Sequence, residues 1–151
     1  MKKEKSPFAK IDHIAIIIKD MNQATEYYES LGLGPFEPVT VALSGRTVRG
    51  KAVDDVKNKA SLGKVGQTMI ELVEPVAGEA NIYKEYLERQ GESIHHVAFT
   101  VDDIERETAK LVEQGVKILS AGTFVNGGGY TYFDTAKTGG VVLELTQWPP
   151  E

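Results

Sequence analysis

The chain has no cysteine, so disulfide bonds and thiolate ligands are excluded, and any bound metal must be held by nitrogen and oxygen atoms. It contains no apolar run of the roughly 18 residues that a membrane-spanning helix needs. Its charged start, residues 1–7, is not followed by the apolar core of a signal peptide. The formal net charge of -5 argues against nucleic acid or an anionic membrane as the main partner. These absences predict a cytoplasmic protein that binds neither nucleic acid nor membranes.

The chain does contain an internal repeat. The sequence Asp-His-Ile-Ala-Ile at 12–16 recurs as His-His-Val-Ala-Phe at 95–99, and each copy continues into a helical pattern that ends at a glycine. Each half then closes on a strand with a glutamate, Glu71 in the first and Glu144 in the second. A repeat of this kind indicates two copies of one folding unit, which pack on each other to bury enough apolar surface.

Both halves read as strand, helix and three further strands. We predict a mobile N-terminus at 1–9, a first βαβββ module at 10–78, a linker helix at 79–92 and a second βαβββ module at 93–148. The first half holds about ten extra residues, which we place in the polar, lysine-rich stretch 54–64. The predicted fold class is α+β, with curved mixed sheets around a central cavity in one structural domain.

The first helix has clear end signals. Asp20 is the predicted N-cap and Gly32 the residue that ends the helix. Tyr27, Tyr28 and Leu31 fall at helical spacing, so we expect them to pack on the sheet.

Side chains alternate across a strand, and this rule orients the repeated residues. It places His13, His96, Glu71 and Glu144 on the face that the helices leave free, and it places His95 on the opposite face. Two imidazoles and two carboxylates on one concave face suit a divalent ion such as zinc, nickel, cobalt, manganese or ferrous iron, and these ligand types do not distinguish among the metals. The alternative is that these are solvated residues on the polar face of an ordinary sheet.

Four sequence stretches carry a resemblance to a known family. They are Asp-His-Ile-Ala at 12–15, Met-Ile-Glu-Leu-Val-Glu-Pro at 69–75, Ile-His-His-Val at 94–97 and Gly-Gly-Val-Val-Leu-Glu-Leu at 139–145. Through them residues 10–148 resemble the vicinal oxygen chelate superfamily, which includes glyoxalases, bleomycin resistance proteins and methylmalonyl-CoA epimerases. The double histidine and the Glu-Leu-Val-Glu-Pro stretch look closer to the epimerase branch than to the glutathione-dependent glyoxalases.

The resemblance implies a fold in which paired βαβββ modules surround a divalent metal. Carried over position by position, it implies that His13, Glu71, His96 and Glu144 bind the metal. It also implies a homodimer, and a small-molecule carbonyl compound or acyl thioester as the substrate.

One feature of the epimerases is missing. Members of that branch resemble one another in a further glutamate on the middle strands of module one, which serves as an acid/base, whereas residues 39–53 contain no carboxylate. Arg46 and Arg49 stand there instead, and we predict that they bind a carboxylate or phosphate of the substrate. Asp54 or Asp55 could replace the missing acid/base if the first-half insertion folds over the cavity.

The leading hypothesis is a metal-dependent isomerase, epimerase or lyase that acts at a carbon next to a carbonyl. Glu144 or Glu71 would leave the metal to act as the base, and Tyr132 would add a hydrogen bond to the substrate. One alternative is an iron-dependent ring-cleaving dioxygenase, which uses two histidines and one carboxylate. Another is a non-catalytic antibiotic-binding protein of the same fold, which relies on an aromatic-lined groove, while the aromatics here are predicted mainly in helices.

Overall fold

The computed structural model describes residues 5–151, so the first four residues of the predicted N-terminal segment lie outside the described part of the chain. The elements, in order, are β1 (Ile11–Ile17), α1 (Met21–Ser30), β2 (Phe36–Val39), β3 (Leu43–Val48), β4 (Lys51–Ala52), β5 (Lys57–Val65), β6 (Thr68–Ala77), α2 (Ile82–Gln90), β7 (Ser93–Thr100), α3 (Ile104–Glu113), β8 (Ile118–Phe124), β9 (Gly129–Phe133) and β10 (Val142–Gln147). None of the helices in the described residues has the length and apolar character needed to cross a bilayer.

The strands form one curled, mixed sheet. Its order is β2-β5-β6-β1-β7-β10-β9-β8-β3-β4. In each half the first strand pairs in parallel with the last, β1 with β6 and β7 with β10, and the two halves meet where β1 and β7 pair antiparallel. The four-strand sets β2-β5-β6-β1 and β8-β9-β10-β7 therefore repeat the same arrangement. The predicted fold of two βαβββ modules is confirmed.

The first module contains a hairpin that the second lacks. Strands β3 and β4 leave their own module and pair with the edge of the other one, through β3 and β8. The extra residues are thus in Leu43–Ala52, and the prediction that placed them in 54–64 was wrong. The lysine-rich stretch is strand β5, in which exposed Lys57 and Lys59 alternate with partly buried neighbours. This alternation of exposed and partly buried residues is typical of a strand. The polar composition of the stretch makes it hard to recognise in the sequence.

Helix α1 covers the outer face of the first module. Its residues Ala24 and Tyr28 pack against Ile16, Ile18 and Leu72 of the sheet. Asp20 caps the helix by accepting a hydrogen bond from the Gln23 backbone, and Gly32, at φ +96°, ends it, as predicted.

The predicted packing of Tyr27 and Leu31 was wrong, because these side chains are 60% and 62% exposed. Successive helix positions differ by about 100°, so Tyr27 lies beside the narrow stripe that Ala24 and Tyr28 present to the sheet.

Helix α3 covers the outer face of the second module in the same way. Leu111 packs against Phe133 and Leu145, and Asp103 caps the helix by accepting a hydrogen bond from the Arg106 backbone. Phe8 joins this cluster, edge-on to Phe99 with 5.1 Å between the ring centres.

Helix α2 lies on the inner face of the second module. Its buried residues are Ile82 and Tyr86, and Ile82 packs with Tyr130, Tyr132 and Val142 of that module. The inner face of the sheet is therefore closed at one end by α2 and open at the other, where the cavity lies.

Candidate metal centre and cavity

The four side chains singled out in the repeat converge at the centre of the sheet. The Nε2 atoms of His13 and His96 are 3.2 Å apart, and Glu144 Oε2 lies 3.3 and 3.2 Å from them. Glu71 Oε1 lies 3.8 and 3.5 Å from the same two nitrogens. The candidate ligand atoms of His13, Glu71 and His96 all fall within 4.8 Å of one another. Each side chain comes from a different strand, and these four strands, β6, β1, β7 and β10, are adjacent in the sheet.

Two alanines make room for this cluster. Ala15 pairs with Glu71 on one side and His96 on the other, and Ala98 pairs with Glu144 and His13 in the same way. Both alanines are completely buried. Residues directly opposite on adjacent strands share a face, so the short methyl groups let their long neighbours lean together above them.

The charges of the cluster are those of a cation site. Glu144 Oε2 is buried and makes no well-aligned hydrogen bond among the described residues, although the Nε2 atoms of His13 and His96 lie 3.3 and 3.2 Å from it, while Oε1 accepts from the Thr146 hydroxyl at 3.0 Å. A buried carboxylate oxygen without a partner is costly unless a cation balances it. Two imidazoles and two carboxylates, one of which has this unsatisfied oxygen, fit a divalent ion such as zinc, nickel, cobalt, manganese or ferrous iron.

Protonation in the cluster follows the same charge balance. Burial alone would lower the pKa of His13, but the carboxylates of Asp12, Glu144 and Glu71 outweigh burial and raise it well above its ordinary value. Burial likewise tends to raise the pKa of Glu71, yet the hydrogen bond from His96 and the charge of His13 lower it overall. The cluster therefore holds positive charge beside its carboxylates, where a metal cation would also be stabilised.

The prediction that His95 lies on the face opposite His96 was wrong. The pairing of β7 with β1 shifts by one residue at this point, from Ala15 opposite His96 to Ile16 opposite Ile94. His95 is the extra residue of the resulting bulge, which turns its side chain toward His96, with the two Nδ1 atoms 2.8 Å apart. Burial, followed by the nearby His96 and Arg89, lowers the pKa of His95 well below its ordinary value, so its ring is neutral at pH 7.

A cavity of about 610 Å³ opens from this cluster, with His13, Glu71 and Glu144 on its wall. Much of the remaining wall is aromatic, formed by Tyr83, Phe124, Tyr130, Tyr132 and Trp148. Only Tyr83 of these lies in a helix, so the prediction that the aromatics sit mainly in helices fails for the cavity. Strands β8 and β9 and the segment after β10 supply the others.

The two predicted substrate-binding arginines have different positions. Arg46, on β3, lines the cavity and donates from Nε to the Tyr130 hydroxyl at 2.9 Å and from a terminal nitrogen to the Val56 carbonyl at 3.4 Å. No carboxylate among the described residues lies within ion-pair distance of it. Arg49 is not on the cavity wall. It occupies the β3–β4 turn with φ +49° and pairs with Glu85 of α2 at 2.8 Å, because the turn carries its side chain outward.

Of the two aspartates that follow β4, the structure brings only Asp54 to the cavity wall. Asp55 instead accepts a hydrogen bond from the Glu79 backbone at 3.2 Å. Tyr132 lines the cavity, its ring centre 4.9 Å from that of His96, and shares a short hydrogen bond with the Tyr83 hydroxyl. Burial, then the nearby carboxylates, raises the pKa of both tyrosines well above the ordinary value, so both carry their proton at neutral pH.

Two modules of this topology around a centre of two histidines and two glutamates define a vicinal oxygen chelate protein. Residues 12–133 match the model of the glyoxalase, bleomycin resistance protein and dioxygenase superfamily. The chain belongs to this superfamily.

Its relatives include proteins of known and unknown activity. The uncharacterized protein YqjC of Bacillus subtilis is 25% identical over 91% of both chains. The mitochondrial methylmalonyl-CoA epimerase of Bos taurus is 26% identical, covering 91% of this chain and 74% of the bovine protein. A variant of Streptomyces coelicolor methylmalonyl-CoA epimerase, solved with 2-nitronate-propionyl-CoA, superposes with a TM-score of 0.66 at 23% identity, over 93% of this chain and 94% of that one.

Proposed function

We propose that the protein is a divalent-metal-dependent isomerase, epimerase or lyase that moves a proton at a carbon next to a carbonyl. The observation that carries this proposal is the convergence of His13, Glu71, His96 and Glu144, with the unsatisfied Oε2 of Glu144 aimed at the two Nε2 atoms. These four side chains would hold the metal. A bound divalent ion supplies Lewis acidity at the carbonyl oxygen and so favours loss of the neighbouring proton.

The two carboxylates have different freedom, and this suggests different roles. Glu144 is buried and fixed by Thr146, so it is the better permanent ligand. Glu71 is partly exposed on the cavity wall and lies farther from both imidazoles. We therefore assign the proton transfer to Glu71, whose lowered pKa keeps it ionised and able to accept a proton.

Arg46 and Tyr132 are the proposed substrate-binding residues. The guanidinium of Arg46, which forms no ion pair among the described residues, is separated from the His96 imidazole by the rings of Tyr130 and Tyr132, whose centres are 5.0 Å apart. A substrate with a carbonyl at one end and a carboxylate or phosphate at the other matches this layout. An acyl-CoA thioester, whose coenzyme A carries phosphate groups, fits this description, and the epimerase relatives that act on or bind acyl-CoA support it.

The absence of a carboxylate in 39–53 argues against methylmalonyl-CoA itself as the substrate. We propose a related acyl thioester or a small 2-oxo or 2-hydroxy acyl compound, with Glu71 as the base. Asp54 on the cavity wall is the remaining candidate for a second acid/base group.

Deuterium exchange tests this proposal. Metal-loaded protein would be incubated in heavy water with a panel of acyl-CoA thioesters and of 2-oxo and 2-hydroxyacyl compounds, and deuterium uptake would be followed by mass spectrometry. We expect uptake at the carbon next to the carbonyl of at least one compound, and its loss in Glu71→Gln, with the metal content of both proteins measured alongside. Glu37→Gln, a change on β2 away from the cavity wall, is the matched control. No uptake from any compound by the fully metal-loaded wild type would contradict the proposal.

The aromatic wall of the cavity favours a second candidate, a non-catalytic protein that binds small aromatic molecules. Calorimetry with such compounds would show binding without turnover in that case. The ring-cleaving dioxygenase is less favoured, because a fourth side chain joins the two histidines and one carboxylate that such enzymes use. Oxygen uptake by the iron(II)-loaded protein in the presence of catechols would support the dioxygenase hypothesis instead.

A further inference from the structure

We propose that Asp12 and His95 are paired positioning residues, one in each module, that fix the imidazoles of His13 and His96 with Nε2 toward the metal centre. The two supports differ in strength, because one is a carboxylate and the other an imidazole. This inference rests on the proposed metal site.

Both residues occupy bulges where β1 and β7 meet. The pairing shifts at Asp12, between Ile11 opposite Phe99 and His13 opposite Ala98, and again at His95. A bulge leaves one residue unpaired and re-aims its side chain. Asp12 and His95 are equivalent in the internal repeat, so the same local distortion occurs once in each module, directly before each histidine of the cluster.

Each re-aimed side chain contacts the far nitrogen of its neighbouring histidine. Asp12 Oδ2 lies 2.7 Å from His13 Nδ1, and His95 Nδ1 lies 2.8 Å from His96 Nδ1. An ionised carboxylate can only accept, so Nδ1 of His13 is the donor. Engaging Nδ1 in both rings turns the two Nε2 atoms toward each other and toward the carboxylates. Ligand histidines in metal sites are commonly oriented in this way by a second hydrogen bond.

The supporting side chains are themselves held in place. The second oxygen of Asp12 accepts from the indole nitrogen of Trp148 at 3.0 Å, and Trp148 stacks on Phe124 with the rings 11° from parallel. His95 is enclosed by the rings of Tyr83 and Tyr86, 5.1 and 4.7 Å away between centres. Trp148 also lines the cavity, so it connects the cavity wall to the support of His13.

The difference between the two supports has a measurable consequence. Charge-assisted hydrogen bonds are roughly twice as strong as neutral ones. An anionic hydrogen-bond acceptor also makes the imidazole a more basic ligand, which binds a metal more tightly. We therefore expect Asp12 to contribute more to metal affinity than His95. Loss of such a support typically weakens metal binding by about 10- to 100-fold.

The test is zinc affinity, measured by competition with a chromophoric chelator on the full chain. Asp12→Asn should weaken zinc binding about 10- to 100-fold. His95→Leu should weaken it less, and His95→Asn should recover part of that loss, because its amide oxygen can replace Nδ1 as the acceptor. Asp20→Asn is the matched control, since asparagine is an equally good helix cap.

A further variant distinguishes loss of positioning from misfolding. Trp148→Phe removes the indole N–H from Asp12 but leaves the four ligands and the central strands unchanged, so a smaller loss of affinity is expected. Circular dichroism and thermal unfolding of the metal-free forms should match the wild type. Leucine and asparagine are similar in size, so both would restore a side chain that serves only for packing. Higher zinc affinity in His95→Asn than in His95→Leu would therefore indicate a positioning role.

Two results would overturn the inference, and they are distinguishable. If Asp12→Asn, His95→Leu and Trp148→Phe bind zinc as tightly as the wild type while His13→Ala does not bind it, the positioning role is wrong and the metal centre stands. If His13→Ala also binds zinc like the wild type, the proposed metal centre fails, and the positioning role fails with it.

Discussion

At the scale of single residues, the cavity wall combines the guanidinium of Arg46, which has no ion-pair partner among the described residues, with several protonated phenols. Arg46 donates to the Tyr130 hydroxyl and faces the cavity, whereas Arg49, only three positions later, is neutralised by Glu85 outside it. Two arginines in one hairpin are thus expected to respond differently to the same substitution, which makes them a matched pair for mutagenesis.

We expect Arg46→Gln to weaken binding of propionyl-CoA by about 10- to 100-fold, the loss associated with a hydrogen bond to a charged group. Arg49→Gln should leave this affinity unchanged. The fluorescence of Trp148, the single tryptophan of the chain and a residue of the cavity wall, gives the titration signal. Equal losses in the two variants would contradict the assignment of Arg46.

The buried tyrosines predict a pH effect. Burial raises the pKa of Tyr83, Tyr130 and Tyr132, so the folded state favours the protonated phenols more than the unfolded state does. Their contribution to stability is therefore present below the ordinary tyrosine pKa of about 10 and is lost as the pH rises through the raised values.

Phenolate absorbance should accordingly rise at higher pH in the native protein than in denaturant. The comparison requires two ultraviolet titrations of the same sample, native and unfolded. Coincident curves would show that these hydroxyls are solvated and would contradict the raised pKa values of the three tyrosines.

At the scale of elements, the pairing of β1 with β7 positions the centre. It sets both histidines opposite small residues and introduces the two bulges. Alternation alone was enough to predict that His13 and His96 share a face with Glu71 and Glu144, because a strand's period is local. The bulges at Asp12 and His95 could not be predicted in this way, since they depend on the register between two strands far apart in sequence.

Ala98→Leu should prevent metal binding without changing any of the proposed ligands. Its side chain would fill the space between Glu144 and His13, and overpacking should also lower the free energy of unfolding by about 1–3 kcal/mol. Ala52→Leu, on the exposed strand β4, is the control. Zinc titration measures the first effect and thermal unfolding the second. Full zinc affinity in Ala98→Leu would show that the proposed ligands do not depend on the space beside Ala98.

At the scale of the whole molecule, both modules contribute to one cluster of side chains. Each contributes one histidine and one glutamate to the cluster, and the β3–β4 hairpin of the first module extends the sheet of the second. The internal repeat was enough to predict the shared architecture and the central cavity. It could not predict where the modules differ, because the crossing of the hairpin and the contact of Trp148 with Asp12 are tertiary features with no local pattern.

The differences between the modules make one cavity from two similar halves. The hairpin supplies Arg46, the helix between the modules supplies Tyr83, and the segment after β10 supplies Trp148. Within the described residues, the hairpin has no equivalent in the second module. Similarity between the modules therefore supports the proposed metal site, and their differences support the proposed choice of substrate.

The most direct measurement is the metal content of the purified protein and of two variants. Elemental analysis after loading and desalting should find one divalent ion per wild-type chain. It should find essentially none in His13→Ala and in Glu144→Ala, with the matched control His95→Asn keeping most of it. A wild-type protein that retains no divalent ion would contradict the proposed metal centre. So would His13→Ala and Glu144→Ala proteins that retain as much metal as the wild type.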